Sequence, residues 1–257
     1  MNLLLDLLAH PVIGHRGAAG LAPENTIEGF RAGLEAGAEA LEFDVRLSRD
    51  GKAVVIHDPT LDRTTDRVGT VSELTLDEIR QADAGYRFQS VGGEYPWRGR
   101  QVRVPTLEEV VASLHDVPLL IELKTPLAGP EVARVLREGG ATDRAVVAGE
   151  DHRGLDWFDH PPFHRGASRR DIARAFFGVG QPAPACACFA VPLRHSGLVI
   201  ASPRFVSKAS RSARTVHVWT VDDEARATRV WDAGAQGIVT NRPDLVRRWR
   251  DARFGSP

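Results

Sequence analysis

The sequence predicts an α/β fold: a (β/α)8 TIM barrel with a small insertion after the second strand. Three observations lead there. Short apolar runs alternate with helical patterns, which is the signature of a parallel sheet wrapped by helices. About eight such units fit into 257 residues, the usual size of a barrel of this kind. Histidines, carboxylates and a lysine stand at the C-terminal ends of the runs, where such barrels carry their chemistry. An open doubly wound sheet ranks lower. Gly14, Gly17 and Gly20 are spaced G-x-x-G-x-x-G, which is not the dinucleotide fingerprint expected in a first βα turn.

Taken in order, residues 11–15 form the first candidate strand. Residues 25–37 follow as a helix, capped by Asn25 or Thr26 and stopped between Gly33 and Gly37. Residues 40–47 are the second strand, and Asp50-Gly51 turns the chain so that residues 53–57 fold back beside it. Residues 59–104 break the rhythm with Pro59, Pro96, several glycines and one helix at 75–82; they read as an inserted subdomain within a single 1–257 catalytic domain. The alternation resumes with a helix at 106–115, a strand at 119–123, a helix at 130–138 and a strand at 145–148. A weaker stretch gives a strand at 163–167, a helix at 170–177, a strand at 188–191 and a helix at 203–211. The chain ends on a strand at 216–221, a helix at 224–233, a strand at 237–240 and a helix at 243–252. Residues 1–8 are apolar but lack a basic start, so they read as a short covering element and not a signal peptide. His-Arg-Gly occurs at His15 and again at His164, but the second copy lacks the Pro-Glu-Asn-Thr that follows the first, and the repeat is a coincidence.

Composition excludes several function classes. The formal net charge is −1, from 33 basic and 34 acidic residues, so a general nucleic-acid binder is not expected. No apolar run approaches the ~20 residues that span a bilayer, so stable membrane insertion is not expected. Cys186 and Cys188 would share one face of a strand, too close for an unstrained bridge. They read as buried free thiols in a reducing cytoplasm, and two thiols without paired histidines do not make a zinc site.

The chemistry-bearing residues are distinguished by spacing. Glu42 and Asp44 are two apart and so point the same way from a strand, with Phe43 opposite; Glu122 and Lys124 are related in the same way across Leu123. Alone, each pair has an ordinary reading as a solvated edge or an ion pair. On central strands buried on both faces, three unpaired carboxylates would be costly. Together they point to one hard divalent cation, Mg²⁺ or Ca²⁺, held by Glu42, Asp44 and Glu122. His15 and His57 each end a strand beside that cluster, which suits a general acid–base pair at neutral pH. Arg16 and Lys124 can hold phosphoryl oxygens, although Arg16 can equally bridge a neighbouring carboxylate. Trp219, at another strand end, is placed in the substrate pocket. His10, His115, His152, His160, His195 and His217 are read as ordinary core or surface residues.

The ordered set His15-Arg16-Gly17, Pro23-Glu24-Asn25-Thr26, Glu42-x-Asp44, His57-Asp58 and Glu122-Leu123-Lys124 resembles the bacterial glycerophosphodiester phosphodiesterases. The resemblance extends to Val218-Trp219-Thr220-Val221 and to residues 237–244. It covers residues 12–125 and 216–245 well and is poor between 126 and 214. It implies a TIM barrel with the insertion at 59–104, a cation on Glu42, Asp44 and Glu122, and His15 and His57 as acid and base, in an order left open. Arg16 and Lys124 would hold the phosphate, and Glu24 and Asn25 would organise the first helix. The implied substrate is a small glycerophosphodiester, hydrolysed to sn-glycerol 3-phosphate and an alcohol, with a cyclic phosphate as one route. Asn241 stands where the family commonly has Asp, and little effect is expected from it. Ala148-Gly149-Glu150 stands where a Ser-Phe pair is common, which leaves the leaving-group side open. Oligomeric state is not addressed by any of these residues.

The nearest rival is a lysophospholipase D or a phospholipase C-like enzyme acting on a lipid. It would want an apolar rim, for which Tyr86, Phe88, Tyr95 and Trp97 of the insertion are candidates; packing within the subdomain's own small core is the favoured reading. A non-catalytic barrel would be expected to lack one of the five key groups. Schiff-base chemistry at Lys124 is disfavoured because Glu122 keeps the amine protonated.

Overall fold

A computed structural model describes residues 2–255; Met1 of the 1–8 reading and the last two residues of the 1–257 span lie outside it. After a 3-10 turn at Leu3–Leu5 the elements run β1 Val12–His15, α1 Ile27–Glu35, β2 Ala40–Leu47, β3 Ala53–Val55, α2 Leu76–Ile79, α3 Leu107–Ser113, β4 Leu119–Leu123, α4 Gly129–Glu138 and β5 Ala145–Gly149. There follow α5 His152–Leu155, β6 His164–Gly166, α6 Arg169–Phe177, β7 Cys186–Pro192, β8 Arg194–His195, β9 Leu198–Val199, α7 Pro203–Arg211, β10 Thr215–Trp219, α8 Glu224–Asp232, β11 Gly237–Thr240 and α9 Pro243–Phe254. Strands β1, β2, β4, β5, β6, β7, β10 and β11 pair in parallel, and the β1–β2 and β1–β11 ladders close them into a barrel. Strand β3 lies antiparallel on the far end of β2, and β8–β9 is a separate hairpin between β7 and α7.

Strand periodicity explains what faces inward. On β2, Leu41, Phe43 and Val45 pack outward under α1, α3 and α4, joined by Leu119, Ile121 and Leu123 of β4. The alternate positions Ala40 and Leu120 face the barrel axis with Ile13, Val146, Cys188 and Val239. Leu4 of the N-terminal turn, fully buried, seals the bottom of this inner cluster. Its carbonyl accepts from Thr215 Oγ1 at 2.7 Å and from His217 Nε2 at 2.9 Å. The apolar start of the chain is therefore a plug. Among the described residues, no helix is long and apolar enough to cross a membrane.

Residues 59–104 carry a small cluster of their own, with Leu61, Val71, Ile79, Val102 and Val104 buried together against Val54 and Ile56. Trp97 packs on that cluster. The Arg98 guanidinium lies over the Tyr86 and Tyr95 rings. Both cysteines are free and buried. They do not share a face: Cys186 joins the outer cluster under α6 and α7, while Cys188 faces the axis. The register shift between Arg165 and Gly166 of β6 inserts an extra residue opposite them and breaks the alternation.

Candidate active site

The loop after β1 packs backbone against backbone. Gly17 has φ +92°, and a Cβ there would sit 2.6 Å from the Gly29 carbonyl carbon of α1; only glycine supplies both the conformation and the room. Arg16 and Asn25 also adopt positive φ, at 50° and 57°. Pro23-Glu24-Asn25-Thr26 divides its labour. Thr26 caps α1 through Gly29 N, at 3.0 Å. Asn25 donates from Nδ2 to Asp44 Oδ2 at 2.9 Å. Glu24 accepts from Arg16 and from Arg63 of the insertion.

Parallel register then builds the site. His15 lies beside Glu42, and Asp44 beside Glu122. Ligand oxygens of Glu42, Asp44 and Glu122 all lie within 4.8 Å of one another. Lys124 Nζ is 3.1 Å from Asp44 Oδ1 and 3.0 Å from Glu122 Oε1. Arg16 donates its backbone N–H to Glu42 at 3.0 Å, while its Nε lies 3.2 Å from Asp44 Oδ2. Burial, then repulsion from Asp44 and Glu122, pushes the Glu42 carboxyl well above its ordinary range. Burial would raise Asp44 too, but the charges of Lys124 and Arg16 prevail and hold it low. Asp44 Oδ1 is buried and faces only the Lys124 ammonium. Three carboxylates whose oxygens converge and whose charges repel one another are an all-oxygen set that fits a hard divalent cation.

The two histidines have different partners. Asn241 Nδ2 donates to Asp222 Oδ2 at 2.7 Å, which turns Oδ1 toward His15 Nδ1, also at 2.7 Å. Asp222 is itself fixed by Thr240 Oγ1 and the Asn241 N–H, each at 2.8 Å. His15 therefore carries its proton on Nδ1, and Nε2 lies 3.9 Å from Glu42 Oε2. Burial, reinforced by Arg16, lowers its pKa. Asn241, from which little effect is expected, is thus in direct contact with His15. His57 Nδ1 instead faces the Asp58 carboxylate at 2.6 Å. Burial would raise Asp58, but Arg63 and then His57 outweigh it and hold it at about 2. Sequence reasoning missed Asn241, Asp222 and Arg63, because their roles depend on loops meeting from distant parts of the chain.

Two cavities share His15 and Arg16. One, of about 470 Å³, is bordered by Glu24, Val91, Asp222, Asn241 and Arg242. The other, of about 560 Å³, takes in Glu42, His57, Glu122, Lys124 and Trp219, then continues toward α6 and the β8–β9 hairpin. All eight residues expected at the site thus converge except that Asp44 lies beneath the floor, buried. His195, read as an ordinary histidine, lines the larger cavity.

The sequence profile of the glycerophosphoryl diester phosphodiesterase family matches residues 15–154 and 164–245. The match thus runs through most of the 126–214 stretch, where the motif resemblance is poor. A glycerophosphodiester phosphodiesterase of Caldanaerobacter subterraneus is 31% identical over 244 residues, covering 91% of this chain and 95% of that protein. A putative glycerophosphodiester phosphodiesterase of Bacillus subtilis is 32% identical, covering 91% and 96%. Among solved structures, a phosphodiesterase of Oleispira antarctica in complex with the product sn-glycerol-3-phosphate superposes with a TM-score of 0.76 at 25% identity, covering 94% of this chain and 96% of that one.

Proposed function

The chain belongs to the glycerophosphoryl diester phosphodiesterase family, and on that premise we propose that it hydrolyses glycerophosphodiesters to sn-glycerol 3-phosphate and an alcohol, using one divalent cation and a histidine pair. The observation that carries this reading is the pairing of two imidazoles, one with a neutral amide and one with a carboxylate, around three converging carboxylates.

Glu42, Asp44 and Glu122 would hold Mg²⁺ or Ca²⁺, which when bound polarises the phosphoryl group and offsets its negative charge. His15, kept neutral by burial and Arg16 and held through Nδ1, presents the Nε2 lone pair and takes the proton from the attacking oxygen. His57, oriented by the contact of its Nδ1 with the Asp58 carboxylate, turns Nε2 to the substrate and gives a proton from it to the leaving oxygen. Lys124 and Arg16 meet the phosphoryl oxygens, Arg16 by exchanging part of its present pairing with Glu24 and Asp44. Trp219, at the mouth, borders the substrate. A cytoplasmic setting is supported by the two unpaired, buried thiols.

The test is release of sn-glycerol 3-phosphate from glycerophosphocholine, glycerophosphoethanolamine and glycerophosphoglycerol. Turnover of at least one is expected, and His15→Ala and His57→Ala should each slow it by at least ~10²-fold. Full activity in either variant removes that histidine from the mechanism.

A further inference from the structure

Few contacts hold the His57 side chain. Its carbonyl accepts from Arg46 Nε at 2.8 Å, which fixes the backbone after β3. The ring is partly exposed, and among the described residues its hydrogen-bond partner is Asp58, at 2.6 Å from Nδ1. The imidazole is therefore aimed only as well as that carboxylate is held. Asp58 has two side-chain partners among the described residues, His57 and Arg63. Arg63 belongs to the insertion.

The local sequence presents Arg63 on a closed turn. Leu61 is buried in the insertion's own cluster. Thr65 is buried as well; its N–H donates to Leu61 O at 3.1 Å, and its Oγ1 accepts from the Arg67 N–H at 3.0 Å. Leu61 and Thr65 pin the turn, and Arg63 between them reaches the barrel mouth. Its guanidinium is used on two edges. Nε and Nη2 donate to Asp58 Oδ2 and Oδ1, at 2.5 and 3.2 Å. Nη1 and Nη2 donate to Glu24 Oε2 and Oε1, at 2.8 and 2.7 Å. Glu24 is also held by Arg16 Nη1, at 2.8 Å. Such edge-on pairs fix direction as well as distance, and an ammonium could not make both. Burial would raise the Glu24 carboxyl, but Arg63 and then Arg16 hold it below its ordinary range.

We propose that Arg63 is a positioning residue for the proton donor: it braces Asp58 against Glu24 of the loop after β1, and so keeps His57 Nε2 aimed at the leaving oxygen. The proposal rests on the reading of His57 as the acid. It makes the insertion part of the catalytic apparatus, because the brace runs from residues 59–104 to the first βα loop. A misaimed donor matters only where the leaving oxygen needs a proton. The choline oxygen needs one: as its bond to phosphorus breaks, the electron pair stays on an alkoxide unless Nε2 supplies the proton. A p-nitrophenolate leaves as a stable anion without one.

The experiment measures kcat and KM for two esters of sn-glycerol 3-phosphate, glycerophosphocholine and the p-nitrophenyl ester, with Mg²⁺ or Ca²⁺ present. In Arg63→Gln, kcat for glycerophosphocholine should fall at least about tenfold with KM within about threefold, while the p-nitrophenyl ester stays within about threefold of the parent. The second ester also checks the fold, since a variant that has lost its structure loses both. Arg63→Lys, which keeps the charge and can meet only one of the two carboxylates, should show the same selectivity in milder form. His57→Ala should show it more strongly. If both Arg63 variants keep full activity, or lose both esters alike while His57→Ala remains selective, the positioning role alone is overturned. Equal loss of both esters in His57→Ala overturns His57 as the acid, and the brace with it. No turnover of either ester by the parent overturns the phosphodiesterase reading as well.

Discussion

At the residue scale, each imidazole is set by the group that holds it. The chain Asp222–Asn241–His15 fixes a tautomer through two amide contacts of 2.7 Å. Asn241→Leu would keep the volume and remove the acceptor, so His15 could present either nitrogen. Its kcat should fall roughly tenfold or more, with KM changing less, because the loss is of a correctly placed base and not of a binding contact. Steady-state kinetics on glycerophosphocholine reads this; an unchanged kcat would show that the amide has no positioning role. The residues that bear charge into the site were legible in the sequence because period-two spacing and strand ends mark them. Glu42 with Asp44, and Glu122 with Lys124, are recognisable as pairs before any fold is known. Asn241 and Arg63 were not. An amide after a strand and an arginine in an insertion carry no pattern of their own, and their partners lie 226 and 39 residues away.

At the element scale, strand and helix assignments followed wherever one face was apolar. Strands β2, β4 and β11 and helix α7 coincide with the predicted ranges, and Thr26, Thr75 and Thr106 cap their helices as hydroxyls at such starts do. The β6–β7 irregularity was invisible, because a bulge is a property of a pairing and not of one strand. Ala173 and Phe177 of α6 line the larger cavity, but which side of a helix faces a cavity depends on the barrel around it. The β1–α1 junction depends on close backbone contact. Gly17→Ala would force a Cβ against Gly29 at φ +92°, which should destabilise the fold by about 2 kcal/mol or more. Urea unfolding measures it, and a change below about 0.5 kcal/mol would mean that the junction relaxes freely.

For the whole molecule, closure at the bottom of the barrel has a pH signature. His217 is buried, donates from Nε2 to Leu4 O and has no partner for Nδ1. Burial lowers its pKa to about 4. The folded protein thus keeps His217 neutral, while the unfolded chain takes up a proton below about 6.5. Between these values the unfolded state binds more protons, so stability falls as the pH is lowered from about 6.5 toward 4, by about 3 kcal/mol at the full extent. His217→Asn should show a shallower slope in that window when urea midpoints are compared across pH; equal slopes would place the effect elsewhere. The barrel itself could be foreseen from alternation and length, and residues 1–8 as a cover; what they cover could not, since Leu4 gains its partner only from a strand more than two hundred residues away.

The central claim is that three carboxylates hold a cation without which the phosphodiester is not cleaved. The most direct measurement is release of sn-glycerol 3-phosphate from glycerophosphocholine by EDTA-treated protein, before and after Mg²⁺ or Ca²⁺ is added back, with Asp44→Asn alongside. No release in EDTA, recovery with the cation, and little recovery in Asp44→Asn are expected. Undiminished hydrolysis in EDTA, or wild-type rates from Asp44→Asn, would contradict the account.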